Sequence, residues 1–91
     1  FADPRVLGML RNHPNPSNAT RRLDYTLIEA GHVRLFVLDA LGRTVAVLAD
    51  EHAEPGSHTR VFDAAALPSG RYACILQTPS HRRVRWMHLL R

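Results

Sequence analysis

The chain has 91 residues, of which 45% are hydrophobic and 22% charged, a composition typical of a single globular domain. The net charge is +4, and all 12 basic residues are arginine. These arginines are scattered and lack interleaved aromatic residues, a pattern that disfavours nucleic-acid binding. No apolar run approaches the roughly 20 residues that a transmembrane helix needs, so we expect no membrane-spanning helix. Residues 1–10 do not resemble a secretory signal, and we expect any export signal of a parent protein to lie outside this chain.

Alternation of apolar and polar residues predicts strands along nearly the whole chain, with no long helix. The first strand is expected within residues 5–10. The others are predicted at 21–28, 33–39, 44–49, 57–63, 71–77 and 82–90. Residues 50–56 form a predicted polar loop, and Gly42 and Gly70 mark turns. About seven short strands at this spacing predict an all-β fold, an antiparallel β-sandwich.

The stretch RNHPNPSNAT, residues 11–20, separates the first two predicted strands. Proline lacks a backbone N–H and has a fixed φ, so Pro14 and Pro16 are expected to keep this segment out of the sheet ladder. Asn15 lies between them and is expected in extended geometry. We interpret the stretch as a stiff connection from one sheet to the other. Residues 18–20, NAT, also fit a glycosylation pattern that is frequent by chance.

The alternation also predicts which side chains face the core. The predicted core residues are Leu23, Tyr25, Leu27, Val33, Leu35, Val37, Phe62, Tyr72, Leu76, Met87 and Leu89.

Residues with potential chemistry do not form a recognisable catalytic or metal-binding pattern. The single cysteine, Cys74, lies in an alternating strand and is interpreted as a small buried residue. The six histidines lack the spacing of a zinc site. Asp50, Glu51 and Glu54 crowd one loop but lack the spacing of a calcium loop. We therefore predict no enzyme, no metal and no cofactor.

Five sequence blocks between residues 10 and 91 resemble the C-terminal sorting domains of type IX (Por) secretion, which are related to the immunoglobulin-like domain of the flagellar hook-capping protein. NHPNPSN resembles the family opening N-Y-P-N-P-F-N. YTLIEAGHVRLFVLDALGRTVAVL looks like its Y-x-L-P-x-x-G-x-V-x-L-x-V-Y-D-x-x-G-R-x-V-x-x-L. EPGSHTRVFDAAALPSGRYACIL looks like A-G-x-H-x-V-x-W-D followed by L-x-S-G-x-Y-x-x-x-L. RWMHLLR looks like the terminal K-M-x-L-x-K. The departures from these motifs are Ser17, Ile28, Arg60, Trp86 and Arg91. Because Arg60 stands where the family usually has an apolar residue, we expect its strand to be an edge strand or its side chain to lie along the surface.

The resemblance implies a single immunoglobulin-like domain, residues 1–91, at the C-terminus of a larger exported protein. Such a domain directs its cargo through a periplasmic intermediate to the outer membrane, the cell surface or the medium, and its partners are proteins of the secretion machinery. The implied recognition strand comprises Arg85, Trp86, Met87, His88, Leu89, Leu90 and Arg91. The implied motif turns contain Pro14, Asn15, Pro16, Gly42, Gly70 and Tyr72.

Two other functions remain open at this stage. The first is a retained structural module that docks to an extracytoplasmic protein assembly, for which a large apolar patch would be the signature. Phe36, Leu38, Trp86 and Leu90 are the candidates for that patch. The second is a carbohydrate-binding module, which the single tryptophan makes a poor fit. For Met87 and Leu89, we expect a role in completing the core.

Overall fold

The computed structural model describes residues 7–14, 20–79 and 81–90, the first of these ranges by its backbone alone, and over these residues the chain is all-β. The strands are β1 (Leu7–Pro14), β2 (Thr20–Leu27), β3 (Gly31–Leu38), β4 (Thr44–Ala53), β5 (Gly56–Asp63), β6 (Gly70–Gln77) and β7 (Arg82–Leu89). The predicted all-β class is confirmed. The described residues form no apolar helix of the length that a bilayer requires.

The strands form two antiparallel sheets, which agrees with the prediction. One sheet has the order β1-β2-β5, and the other has the order β4-β3-β6-β7. Both sheets contribute to one apolar core, and the Cα radius of gyration is 13.0 Å, close to the roughly 12 Å expected for a compact chain of this length. The arrangement is sandwich-like because each sheet turns alternate side chains toward the other.

The core lies between the inward faces of the two sheets, and the alternation of the sequence identified it. Leu23, Leu35 and Leu76 are fully buried at its centre. Every predicted core residue is buried, which confirms the predicted inward faces. Burying a large apolar side chain stabilises a fold by about 1.5–3 kcal/mol, so these residues supply the main driving force for folding.

The prediction for the proline-containing stretch is wrong in two respects. β1 continues to Pro14, which pairs with Arg21 of β2, so Pro14 belongs to the ladder. β1 and β2 are also neighbours in one sheet, so their connection does not pass between sheets. The physical reason is that β1 is an edge strand, and an edge strand tolerates a proline whose missing N–H faces away from the partner.

The predicted polar loop at 50–56 is also wrong over most of its length. β4 extends to Ala53, because residues 50–53 pair with residues 31–34 of β3. His32 Nε2 lies 2.6 Å from Asp50 Oδ1 across the two strands. Arg34, directly opposite Asp50, has its Nε 3.9 Å from Asp50 Oδ2. Such cross-strand pairs of opposite charge favour a ladder even where the sequence is polar.

Several predicted residues lie outside the described part of the chain. They are Asn15, Pro16, Ser17 and Arg91, together with Asn18 of the NAT pattern.

Candidate interaction surface

Residues 85–89 of the predicted recognition strand lie in β7, which is at one edge of the four-stranded sheet. Among the described residues, β7 is hydrogen-bonded as a strand to β6 alone. Met87 and Leu89 face inward and are buried, so the expectation that they complete the core is confirmed. Trp86 and His88 lie on the opposite face of β7, where Trp86 is 52% exposed and His88 is also exposed. The strand therefore has one structural face and one face open to partners.

Arg21 ties this edge strand to the other sheet. Its Nη2 donates a hydrogen bond of 2.9 Å to the backbone carbonyl of His88, 67 residues away in sequence. Arg21 lies in β2, so the contact joins the two sheets near the end of β7. A partner that needs the His88 carbonyl must compete with this guanidinium.

The exposed aromatic ring of β7 is already stacked with a cation. The guanidinium carbon of Arg71 lies 4.1 Å from the centre of the Trp86 ring, and Arg34 is similarly placed over Phe36 at 4.4 Å. Contacts of this kind are worth about 0.5–1 kcal/mol at exposed sites. Because Arg71 covers one face of Trp86, sugar stacking on that face is hindered, which further disfavours a carbohydrate-binding module.

The corner before β6 is closed by the tyrosine of the predicted motif. The Tyr72 hydroxyl donates a 2.8 Å hydrogen bond to the backbone carbonyl of Pro68, and the Tyr72 ring is buried. Gly70 has no positive φ, and a Cβ added there would meet Tyr72 Cε1 at 3.8 Å, an ordinary contact. Tyr72 therefore fixes the corner, whereas Gly70 is not sterically required.

The second motif turn, between β3 and β4, is held by one carboxylate. Asp39 Oδ1 accepts hydrogen bonds from the backbone N–H groups of Leu41 and Arg43, each at 2.9 Å. Arg43 Nε donates to Asp39 Oδ2 at 2.7 Å. The backbone hydrogen bond from Arg43 is the main cause that lowers the pKa of Asp39 below its ordinary value of 3.8. Gly42 has φ +85°, a conformation in which glycine avoids the steric cost of a Cβ.

Polar pairs close the side of the molecule where β4 of one sheet approaches β5 of the other. Arg60 Nη2 lies 2.7 Å from Glu51 Oε2, which explains how an arginine occupies an inward position of the edge strand β5. His58 stacks on the Tyr25 ring at 5.3 Å between centroids. Burial raises the pKa of Tyr25, against the opposing effect of the Arg60 guanidinium. The edge-strand interpretation of Arg60 is confirmed.

The three acidic side chains of residues 50–54 contact three different partners. Asp50 contacts His32, whereas Glu51 pairs with Arg60 and Glu54 with His52. Among the described residues, no group of three potential metal ligands comes together. The calcium site considered for this segment therefore lacks convergent oxygen ligands in the structure.

Cys74 is fully buried, which confirms its interpretation as a small core residue. Burial raises the pKa of its thiol to about 12, so the thiol is protonated near neutral pH. A nucleophilic cysteine needs the thiolate, which this environment disfavours.

The four residues of the predicted apolar patch differ in position and exposure. The structure also shows contacts of three arginines that the sequence analysis did not identify. Phe36, Leu38 and Trp86 lie on the outer face of the four-stranded sheet, but Phe36 is only 6% exposed. Leu90 follows the end of β7 and is 90% exposed. The contributions of Arg21, Arg34 and Arg71 depend on contacts between distant strands. The sequence did contain a signal for the buried part of this outer face. The unbroken apolar run YACIL in β6 indicates a strand that is buried on both faces.

No protein-family model matches the chain, and no curated protein matches it either.

Proposed function

We propose that this chain is an immunoglobulin-like domain that acts as a non-catalytic C-terminal sorting domain of a larger exported protein. In this proposal it directs its parent protein through the periplasm and across the outer membrane, to the cell surface or the medium. The partners are proteins of the secretion machinery.

The immunoglobulin-like part of the proposal is supported by strand order. In that fold the second strand pairs with the fifth, and the third, sixth and seventh strands lie in the other sheet. The orders β1-β2-β5 and β4-β3-β6-β7 follow this rule, with β4 added to the second sheet. A tyrosine near the start of the sixth strand, bonded to upstream backbone, is a further hallmark, and the bond from Tyr72 to Pro68 has this form. Cys74 follows two residues later but lacks a cysteine partner, since the chain has one cysteine.

The sorting part depends on the sequence resemblance, and one structural observation carries it. β7, the strand that contains most of the resembling terminal block, is an edge strand with one exposed face. Edge strands are recognised by strand addition, in which backbone hydrogen bonds give affinity and alternate side chains give specificity. Between Tyr25 and Leu76 the resembling blocks contain Asp39, Gly42 and Tyr72, which hold turns and corners and so have a role in folding.

A secretion assay tests this proposal directly. A reporter enzyme carrying a signal peptide is fused to the N-terminus of the chain and expressed in a bacterium that has a type IX system. The proposal predicts reporter activity outside the cell with the chain and in the periplasm without it. Leu90→Ser should trap the reporter in the periplasm because Leu90 belongs to the proposed recognition segment.

Leu41→Ser is the matched control, since Leu41 is also a highly exposed leucine but lies in the turn between β3 and β4. It should leave secretion unchanged. Periplasmic retention of the unaltered fusion, with the domain folded, would refute the sorting proposal.

A retained interaction module is the second candidate function. The observation that favours it is the half-exposed Trp86 beside half-exposed Val84 on β7, which is unusual for a surface without a partner. In that case the domain would remain on the mature protein and dock to an extracytoplasmic assembly.

A further inference from the structure

The outer face of the four-stranded sheet has an apolar row that crosses all four strands. The pairing places Val47 of β4 opposite Phe36 of β3, Phe36 opposite Ile75 of β6, and Ile75 opposite Val84 of β7. Residues directly opposite in an antiparallel pair project from the same face of the sheet. An irregularity in the pairing of β3 with β4 between Leu35 and Phe36 brings Val47 into this row.

A second apolar row lies beside the first. Leu38 is opposite Ala73, and Ala73 is opposite Trp86. We call the two rows together the outer stripe; it comprises Val47, Phe36, Ile75, Val84, Leu38, Ala73 and Trp86. The core cluster between the sheets contains none of these residues, so the outer stripe is a separate apolar surface.

The exposure of the outer stripe differs between its centre and its edges. Phe36 and Ile75 on the inner strands are 6% and 2% exposed, because neighbouring side chains shield them. Val47, Val84 and Trp86 on the outer strands are each about half exposed, at 51%, 47% and 52%. The surface is therefore an apolar strip with accessible side chains along two borders.

Cations surround the outer stripe. Arg34 lies over Phe36, and Arg71 lies over Trp86. Arg34 and Arg82 are both directly opposite Gln77, Arg34 on β3 and Arg82 on β7. β6 and β7 contain no acidic residue. Asp50 of β4 is opposite Arg34, and its carboxylate contacts His32 and lies 3.9 Å from Arg34. The face has a positive rim around an apolar centre.

A shallow cavity adjoins this rim at the end of the sheet. It has a volume of about 170 Å³ and is lined by His32, Arg34, Gln77, Thr78 and Pro79. A recess beside an apolar surface is where an anchoring side chain of a partner is buried most effectively. Arg34 in this lining favours an anchor of acidic character.

We propose that the outer stripe docks a protein segment whose apolar side chains are flanked by aspartate and glutamate. Carboxylates on such a segment would pair with Arg34, Arg71 and Arg82 while its apolar residues cover Val84 and Trp86. Charged hydrogen bonds of arginine with carboxylates are among the stronger ones in proteins, and tryptophan and arginine are enriched in protein interfaces.

Other occupants fit this surface less well. A second copy of the chain would bring one positive rim against another, and such like-charge contacts are unfavourable. A lipid surface requires apolar side chains that penetrate the bilayer, but the centre of the outer stripe is shielded and Arg71 covers Trp86. This inference concerns the face of the sheet and stands independently of the secretion proposal.

Fluorescence of Trp86, the single tryptophan of the chain, reports directly on this face. The purified chain is titrated with two synthetic peptides that have the same apolar residues, flanked by Asp and Glu in one and by Lys in the other. We expect a saturable shift of the emission with the acidic peptide alone, which weakens at about 1 M salt, where the Debye length is about 3 Å. The Arg34→Glu, Arg71→Glu double variant should raise the Kd roughly tenfold or more.

Val84→Glu should weaken binding of the acidic peptide. Val61→Glu is the control, since Val61 is an exposed valine on β5 of the other sheet, and it should leave binding unchanged. Each Kd is taken from the titration of that variant, so a change in starting fluorescence does not affect it. Equal binding of the two peptides, or no binding of either, would overturn the proposal. A shift with phosphatidylglycerol vesicles but not with the acidic peptide, or with increasing concentration of the chain alone, would instead assign the surface to a membrane or to a second copy.

Discussion

The hydrogen bond that closes the corner before β6 gives a quantitative prediction. Tyr72→Phe removes one hydroxyl, which donates at 2.8 Å to Pro68 O, and leaves the buried ring in place. A typical hydrogen bond of this kind contributes about 0.5–1.5 kcal/mol to the free energy of unfolding. For a chain of this size a loss of about 1 kcal/mol lowers Tm by about 4–8 °C.

Thermal and urea denaturation followed by circular dichroism measure this loss. The urea midpoint should fall while the slope m stays constant, because the fold and the surface exposed on unfolding are unchanged. Tyr25→Phe is the matched control. Tyr25 is equally buried, but no hydrogen bond joins its hydroxyl to another described residue. The loss of unfolding free energy in Tyr25→Phe should therefore be much smaller. If the two variants lose the same stability, or if Tyr72→Phe loses none, the assignment of the corner to this hydrogen bond is wrong.

Three further predictions concern the turn between β3 and β4 and the core cysteine. Gly42→Ala should destabilise the chain by about 1–2 kcal/mol because of its positive φ, whereas Gly70→Ala should have little effect in the same denaturation assay. Because the pKa of Asp39 is lowered by folding, its carboxylate stabilises the fold at pH values above 3.8, the pKa in the unfolded chain. This contribution is lost as the pH falls through the folded pKa. Asp39→Asn should therefore be less stable than the unaltered chain at pH 7, and urea midpoints of the two should converge as the pH falls below the folded pKa of Asp39; a constant difference would contradict this linkage. Iodoacetamide at pH 8 should label Cys74 only when urea is added, because the buried thiol has a pKa of about 12; rapid labelling of the folded chain, read by mass spectrometry, would show that the thiol is accessible.

Alternation in the sequence predicted the all-β class and the inward-facing core residues, because each strand has at least one face that must be buried. Leu23, Tyr25 and Leu27 recur at every second position, and this local period is the same in any register. Arg60 was recognisable through the resemblance, because the family motif has an apolar residue at this position and a charged residue that faces inward requires an edge and a partner.

Features set by contacts between distant residues could not be predicted in this way. β4 continues through Asp50 because Arg34 lies opposite it and His32 contacts its carboxylate, and nothing local in the segment indicates that pairing. The bond from Arg21 to His88 O joins residues 67 positions apart.

The outer stripe depends on the register of four strands and on the irregular pairing of β3 with β4. The sequence indicated that Phe36 and Leu38 make the second face of β3 partly apolar. It did not indicate that Val47, Ile75 and Val84 would align with Phe36.

The measurement that tests the sorting proposal most directly is the mass of the mature parent protein. The parent is recovered from the cells that produce it, in membrane-associated and secreted fractions, and its terminal peptides are sequenced by mass spectrometry. The proposal of a removable sorting domain predicts that protein outside the cell lacks residues 1–91, while a periplasmic precursor retains them. Mature extracellular protein that still ends at Arg91 would contradict removal and would favour the retained module that docks through its exposed surfaces.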